Sequence, residues 1–165
     1  MENAQGMQLI NNNFNVIFSN SPEEAMAFMR RSFREKKYTG GVVARILIPY
    51  LYNCSHERFS LVAPVIWECS SPMDLVNVVV EDKLEPSLCK VVANLLQYYS
   101  DVQEIWLALV HFIGSEYCYC GMFVETIKSL YNIHEYKRAA LVILAENYIG
   151  GVRKELLNLL KGYYQ

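Results

Sequence analysis

Serine stands before one apolar stripe after another in this chain, and that recurrence restricts the fold more than any other feature of the sequence. A helix begins with backbone N–H groups that have no partner inside it, and a side-chain oxygen just ahead of the first turn satisfies one of them. Ser21-Pro22-Glu23-Glu24 supplies that oxygen, a proline at the first helical position, and a glutamate placed to bond back to the Ser21 amide. Ser71-Pro72-Met73-Asp74 repeats the device with Asp74 as the returning carboxylate, and Ser100-Asp101-Val102-Gln103 repeats it with Gln103. Ser55 and Ser115 each precede a further polar-then-apolar run. Gly40-Gly41, Gly114, Asn132 and Gly150-Gly151 fall where one stripe ends and another begins, so they read as helix stops.

Between these marks the apolar period is helical. Ala25, Met26, Met29 and Phe33 share one stripe; Leu88, Val91, Val92, Leu95, Leu96 and Tyr99 a second; Val102, Ile105, Trp106, Leu109 and Ile113 a third. Further stripes begin at Val124, Ala139 and Val152. Pro49 and Pro64 each interrupt a stripe, and because proline removes an amide and crowds the preceding turn, kinked or shortened helices are expected there. Val76 to Val80 is rich in β-branched residues, yet its Ser-Pro-x-Asp opening predicts a short helix.

Residues 1–20 read as a separate N-terminal arm. Leu9, Ile10, Phe14, Val16, Ile17 and Phe18 are apolar, but Asn11-Asn12-Asn13 lowers helix propensity between them. The arm is therefore expected to be loosely helical or extended, and either packed on the first hairpin or bound to a partner. Residues 21–165 read as an all-α domain of about eight to nine short helices, joined by about one to four residues and so antiparallel to their neighbours. Helix starts recur about every 15 to 19 residues, and a two-helix unit of about 30 to 37 residues falls among HEAT, armadillo and tetratricopeptide arrays. No Trp-Leu-Gly…Tyr or Thr-Pro-Leu-His signature selects one of them, and an irregular helical bundle is the alternative.

Composition agrees with a folded domain. The 165 residues are 53% hydrophobic and 19% charged, enough to bury a core without disulfides or metal. No apolar stretch reaches the roughly 20 residues of a membrane helix, and the N-terminus is Asn-rich with no basic residue ahead of an apolar run, unlike a secretory signal. Five cysteines, mostly on apolar stripes, lead to an expectation of reduced thiols in the cytosol or nucleus. The chain stops at Gly162-Tyr163-Tyr164-Gln165 directly on a helical pattern, which suggests a domain of a longer protein.

The residues that could carry chemistry read as structural. Cys118-Tyr119-Cys120 lacks the two-residue gap of a zinc knuckle, and His56, His111 and His134 are isolated in sequence. Glu23-Glu24 and Glu81-Asp82 sit at helix ends, where the macrodipole and solvation account for them. Neither glycine pair has the spacing and following Lys-Ser/Thr of a phosphate loop. The expectation is a non-enzyme with no cofactor and no metal.

Binding features are more informative. Arg30, Arg31, Arg34, Lys36 and Lys37, followed by Arg45, place positive charge on one helix and the loop after it, while Glu68, Asp74, Glu81, Asp82 and Glu85 gather near the chain centre. A formal net charge of −2 offers no overall field toward a polyanion, so protein–protein steering is favoured over nucleic acid. Twelve tyrosines exceed ordinary usage, and Tyr98-Tyr99, Tyr163-Tyr164 and Tyr117/Tyr119 cannot all face one core, because adjacent residues point about 100° apart on a helix. Exposed tyrosine suits an interface. The expected partner-binding residues are Arg30, Arg31, Arg34, Lys36, Lys37, Arg45, Tyr98, Tyr117 and Tyr119, and the expected partner is another protein, as a peptide or helix segment, with RNA held by the basic patch as the alternative and no membrane.

Ser70-Ser71-Pro72-Met73-Asp74-Leu75-Val76-Asn77, Leu84-Glu85-Pro86, and Phe123 through Tyr136-Lys137-Arg138-Ala139-Ala140 together resemble the C-terminal helical domain of a scaffold subunit of the cytoplasmic deadenylase (NOT) complex. The last of these segments is similar also to the N-terminal helical-repeat domain of Nibbler-type exonucleases. The resemblance covers the second half of the chain. It implies a domain that binds other proteins in RNA silencing or mRNA decay and carries no catalytic residues of its own.

Overall fold

The computed structural model describes residues 4–101 together with 104, 105, 108, 111 and 112. Ser115, Tyr117, Tyr119, Cys118, Cys120, His134 and the stripes from Val124 onward lie outside the described residues. Among the described residues there are helices and turns and no strand. The helices are α1 (Ala4–Asn20), α2 (Pro22–Arg34), α3 (Gly40–Leu47) with a 3-10 turn (Ile48–Leu51), α4 (His56–Cys69), α5 (Pro72–Asp82) and α6 (Pro86–Leu96). The chain divides at the Ser70–Ser71 link into two compact units, the first containing α1 to α4 and the second opening with α5 and α6.

The residues read as an arm form a regular 17-residue helix, α1, packed on α2. Three consecutive asparagines cost it roughly 2 kcal/mol in propensity, whereas burying Phe14 and Phe18 contributes about 3 to 6 kcal/mol. Burial wins. Phe14 and Phe18 are both buried, and the Tyr50 ring lies 5.5 Å from the first and 4.3 Å from the second. The Tyr50 hydroxyl donates to Asn15 Oδ1, and the Arg58 guanidinium lies 5.2 Å from the Phe18 ring. Removal from water pushes the Tyr50 phenol above its ordinary pKa, against the pull of Arg58.

Ser21 caps α2, its Oγ accepting from the Glu24 amide at 3.2 Å. The return bond expected from Glu24 is replaced. The Ser21 amide donates to the Ile17 carbonyl at 2.9 Å, because α1 runs up to the cap and supplies an acceptor first. Ala25, Met26, Met29 and Ser32 form the buried face of α2, which packs against α1 and α4.

Gly40-Gly41 begins a helix where the sequence reading had a stop. Thr39 Oγ1 accepts from the Val42 amide at 3.3 Å, and the two glycines are the first residues of α3. The stop lies earlier, at Lys36, whose φ of 61° gives α2 a left-handed C-terminal turn. The Lys37 and Lys36 amides there donate back to the Ser32 and Phe33 carbonyls. α3 buries Val42, Val43, Ala44, Ile46 and Leu47, then tightens into the 3-10 turn that contains Pro49.

Pro64 does not shorten its helix. α4 runs 14 residues through it, and the carbonyl that loses a donor belongs to Ser60, an exposed residue. Val62, Ala63, Val65 and Ile66 of α4 are wholly buried, and the buried Ser70 hydroxyl donates to the Gly40 carbonyl at 2.6 Å, tying the end of α4 to the start of α3.

In the second unit Ser71 forms the full reciprocal cap. Its Oγ accepts the Asp74 amide at 3.1 Å and its own amide donates to Asp74 Oδ2 at 2.9 Å. This cap holds the β-branched run Val76–Val80 helical. α5 ends at Lys83 in the left-handed region, with the Leu84 amide bonded to the Val79 carbonyl. α6 packs on α5, their buried faces including Leu75 and Val79 on one side and Val92, Leu95 and Leu96 on the other. Beyond α6, Asp101 Oδ1 accepts from the Glu104 amide at 3.2 Å.

Candidate interaction surface

Six cations were read as one basic surface, and the fold divides them. Arg31, Arg34, Lys36 and Lys37 are all exposed and follow one another along the last turn of α2 and the turn after it. That turn is fixed by its own backbone. The Glu35 amide donates to the Arg31 carbonyl, and the Lys37 and Tyr38 amides both donate to the Ser32 carbonyl. The Tyr38 ring meets Phe28 edge-on at 6.2 Å, and the Arg31 guanidinium lies 5.9 Å from the same Phe28 ring. Lys37 pairs with Glu35 at 3.1 Å, the acidic residue within the strip.

Arg30 is committed elsewhere. Its Nε and Nη2 donate to the two Glu68 carboxylate oxygens of α4 at 2.7 and 3.1 Å, a two-pronged pair that crosses between helices. Bonding to Arg30 holds the Glu68 carboxyl below its ordinary pKa, and the same bond raises that of Arg30. Arg45 is half-buried on α3, a separate element from the strip. Of the tyrosines, Tyr98 is 60% exposed after α6 in the second unit, while Tyr117 and Tyr119 lie outside the described residues.

The sequence places Phe33 on one stripe with Ala25, Met26 and Met29. It does share their face, at helical spacing from Met26 and Met29, but the core ends before it and leaves it 36% exposed. A half-covered aromatic therefore stands between Arg30 and Arg34 on the cationic turn. The signal was present in the sequence as its place on the last turn of a stripe.

A second feature was invisible in the sequence, because two stretches of chain far apart in sequence build it. An open cleft of about 600 Å³ lies where the end of α1 (Phe18) and the first turn of α2 (Pro22, Glu23) face the start of α4 (Ser55 to Arg58, Ser60, Leu61). Its charges are mixed, with Glu23 and Glu57 against Arg58, and His56 beside the Ser55 cap.

Among the described residues no group of three or more His, Cys, Asp or Glu is placed to hold a metal ion, and no helix is long and apolar enough to cross a membrane. Cys69 and Cys89 are buried, and burial pushes the Cys89 thiol up to about 12, which keeps it protonated and a poor nucleophile. Comparison with protein-family models, with curated proteins and with solved structures finds no match to this chain.

Proposed function

We propose that this chain is a non-catalytic protein-interaction scaffold that docks its partner at the cationic end of α2. The observation that carries the reading is the exposed run Arg31, Arg34, Lys36 and Lys37, with half-covered Phe33 in the same stretch of chain, on a turn whose backbone is bonded in place. Arginine and aromatic side chains are enriched in protein interfaces, and Arg31, Arg34 and Phe33 supply both here. A pre-formed turn adds little ordering cost on binding. The cellular context proposed is RNA silencing or mRNA decay in the cytosol or nucleus, following the resemblance of Ser70–Asn77, Leu84–Pro86 and Tyr136–Ala140 to scaffold domains of that kind. Helical-repeat architecture of the HEAT or armadillo type is part of the same proposal.

The test is capture of partners from a native lysate by the purified chain, with and without nuclease, beside an Arg31→Glu, Arg34→Glu double variant and an Arg30→Gln variant. A stoichiometric protein that survives nuclease, is lost with the double variant and is retained with Arg30→Gln supports the reading. Recovery of RNA alone, abolished by nuclease, replaces it with direct RNA binding through the same cations.

A further inference from the structure

We infer that the partner segment received at the end of α2 is an acidic peptide with one large apolar side chain, its carboxylates meeting Arg31, Arg34, Lys36 and Lys37 and its apolar side chain covering Phe33. The inference rests on the interaction reading above and specifies its occupant. Four cations and one carboxylate, Glu35, leave a net of three positive charges on this turn, although the chain as a whole is at −2. The turn is thus locally complementary to an acidic segment, while the chain as a whole offers no field that draws in a polyanion. Among the described residues Glu35 is bonded to Lys37 and Glu68 to Arg30, and no ion pair joins a carboxylate to Arg31, Arg34 or Lys36.

Phe33 supplies the second half of the chemistry. The stripe Met26, Met29, Phe33 begins wholly buried and ends 36% exposed, so the core of this unit has an open edge that one apolar side chain from outside would extend. A duplex phosphate backbone would satisfy the cations and leave Phe33 uncovered, whereas a single strand would stack a base on it, and the oligouridine competition below separates that occupant from a peptide. Carboxylates spaced along a peptide, with one aromatic or leucine among them, satisfy both. Lys36 in its left-handed turn, with Lys37 after it, turns the chain off the helix axis directly after Phe33 and Arg34.

The experiment uses an unbiased probe: a random twelve-residue phage-displayed peptide library selected on the immobilised full chain, followed by anisotropy titration of the enriched peptides. Enriched sequences are expected to be rich in Asp and Glu around one Leu, Phe, Trp or Tyr. Replacing that residue by Ala in the peptide should weaken binding about tenfold or more, as for an interface anchor. Arg31→Glu with Arg34→Glu in the chain should abolish it. An oligouridine of equal charge should compete weakly. Because the anchor is varied in the peptide, the result does not depend on whether a Phe33 variant folds. Selection of neutral or basic peptides, no enrichment over an uncoated control, indifference to the anchor, or oligouridine competing equally well would each overturn the inference. Lysate capture lost with the double variant would still stand in those cases, so the occupant can fail without the interaction reading failing.

Discussion

Arg30 and Glu68 reach across from α2 to α4 with both side chains partly in water, so screening and side-chain entropy hold the pair to about 0.2 to 1 kcal/mol despite its good geometry. Glu68 titrates below the ordinary glutamate value, so its contribution is complete above about pH 4.3 and is lost as pH falls through the lowered value. Glu68→Gln is therefore expected to cost less than about 1 kcal/mol at pH 7 and close to nothing in strong acid, as read by urea unfolding at the two pH values. A second residue-scale expectation concerns the left-handed positions. Lys36, Asn53 and Lys83 have φ between 49° and 61°, where a Cβ is crowded. Lys83→Gly removes a strain of about 1 to 2 kcal/mol and adds about 0.5 to 1 kcal/mol of backbone entropy cost. The urea midpoint should rise by a net stabilisation of about 0.5 kcal/mol. Asn53→Gly should gain less, since asparagine tolerates this region.

At the scale of elements, α1 depends on its two phenylalanines. Phe14 is 1% exposed and touches both Phe18 and Tyr50, so Phe14→Ala is expected to cost about 3 to 5 kcal/mol through lost transfer energy and a cavity. Faster amide exchange should follow along α1 in the same variant, while α5 and α6 keep their protection. What sequence could read of the elements follows from where each signal resides. Ser21, Ser55 and Ser71 were legible because a cap acts within three residues of itself. The continuity of α1 was not, because the burial that outweighs three asparagines comes in part from Tyr50, far along the chain, beside the adjacent α2. Gly40-Gly41 misled because glycine serves a helix start or a stop equally well, and the stop had gone to a lysine. Pro49 marked the end of α3, whereas Pro64 was absorbed within α4, a difference set by the surrounding helix and not by the proline itself.

For the whole molecule the informative contrast is between a mildly negative chain and a locally positive turn. Sequence located that turn, since its cations are contiguous. It could not separate Arg30, whose partner is 38 residues away, or show that Phe33 stands at the open edge of the core. The cleft between α1, α2 and α4 was equally hidden, because it exists only once the α1–α2 junction meets the start of α4. The central claim is that the end of α2 is covered by a protein partner. The most direct measurement is lysine footprinting by acylation, compared by peptide mass spectrometry between the free chain and the chain captured with its partner after nuclease treatment. All four lysines involved are exposed in the free chain. Protection of Lys36 and Lys37, with Lys83 and Lys90 modified as before, is the result this account requires. Equal modification of Lys36 and Lys37 in the free and captured chains would contradict it.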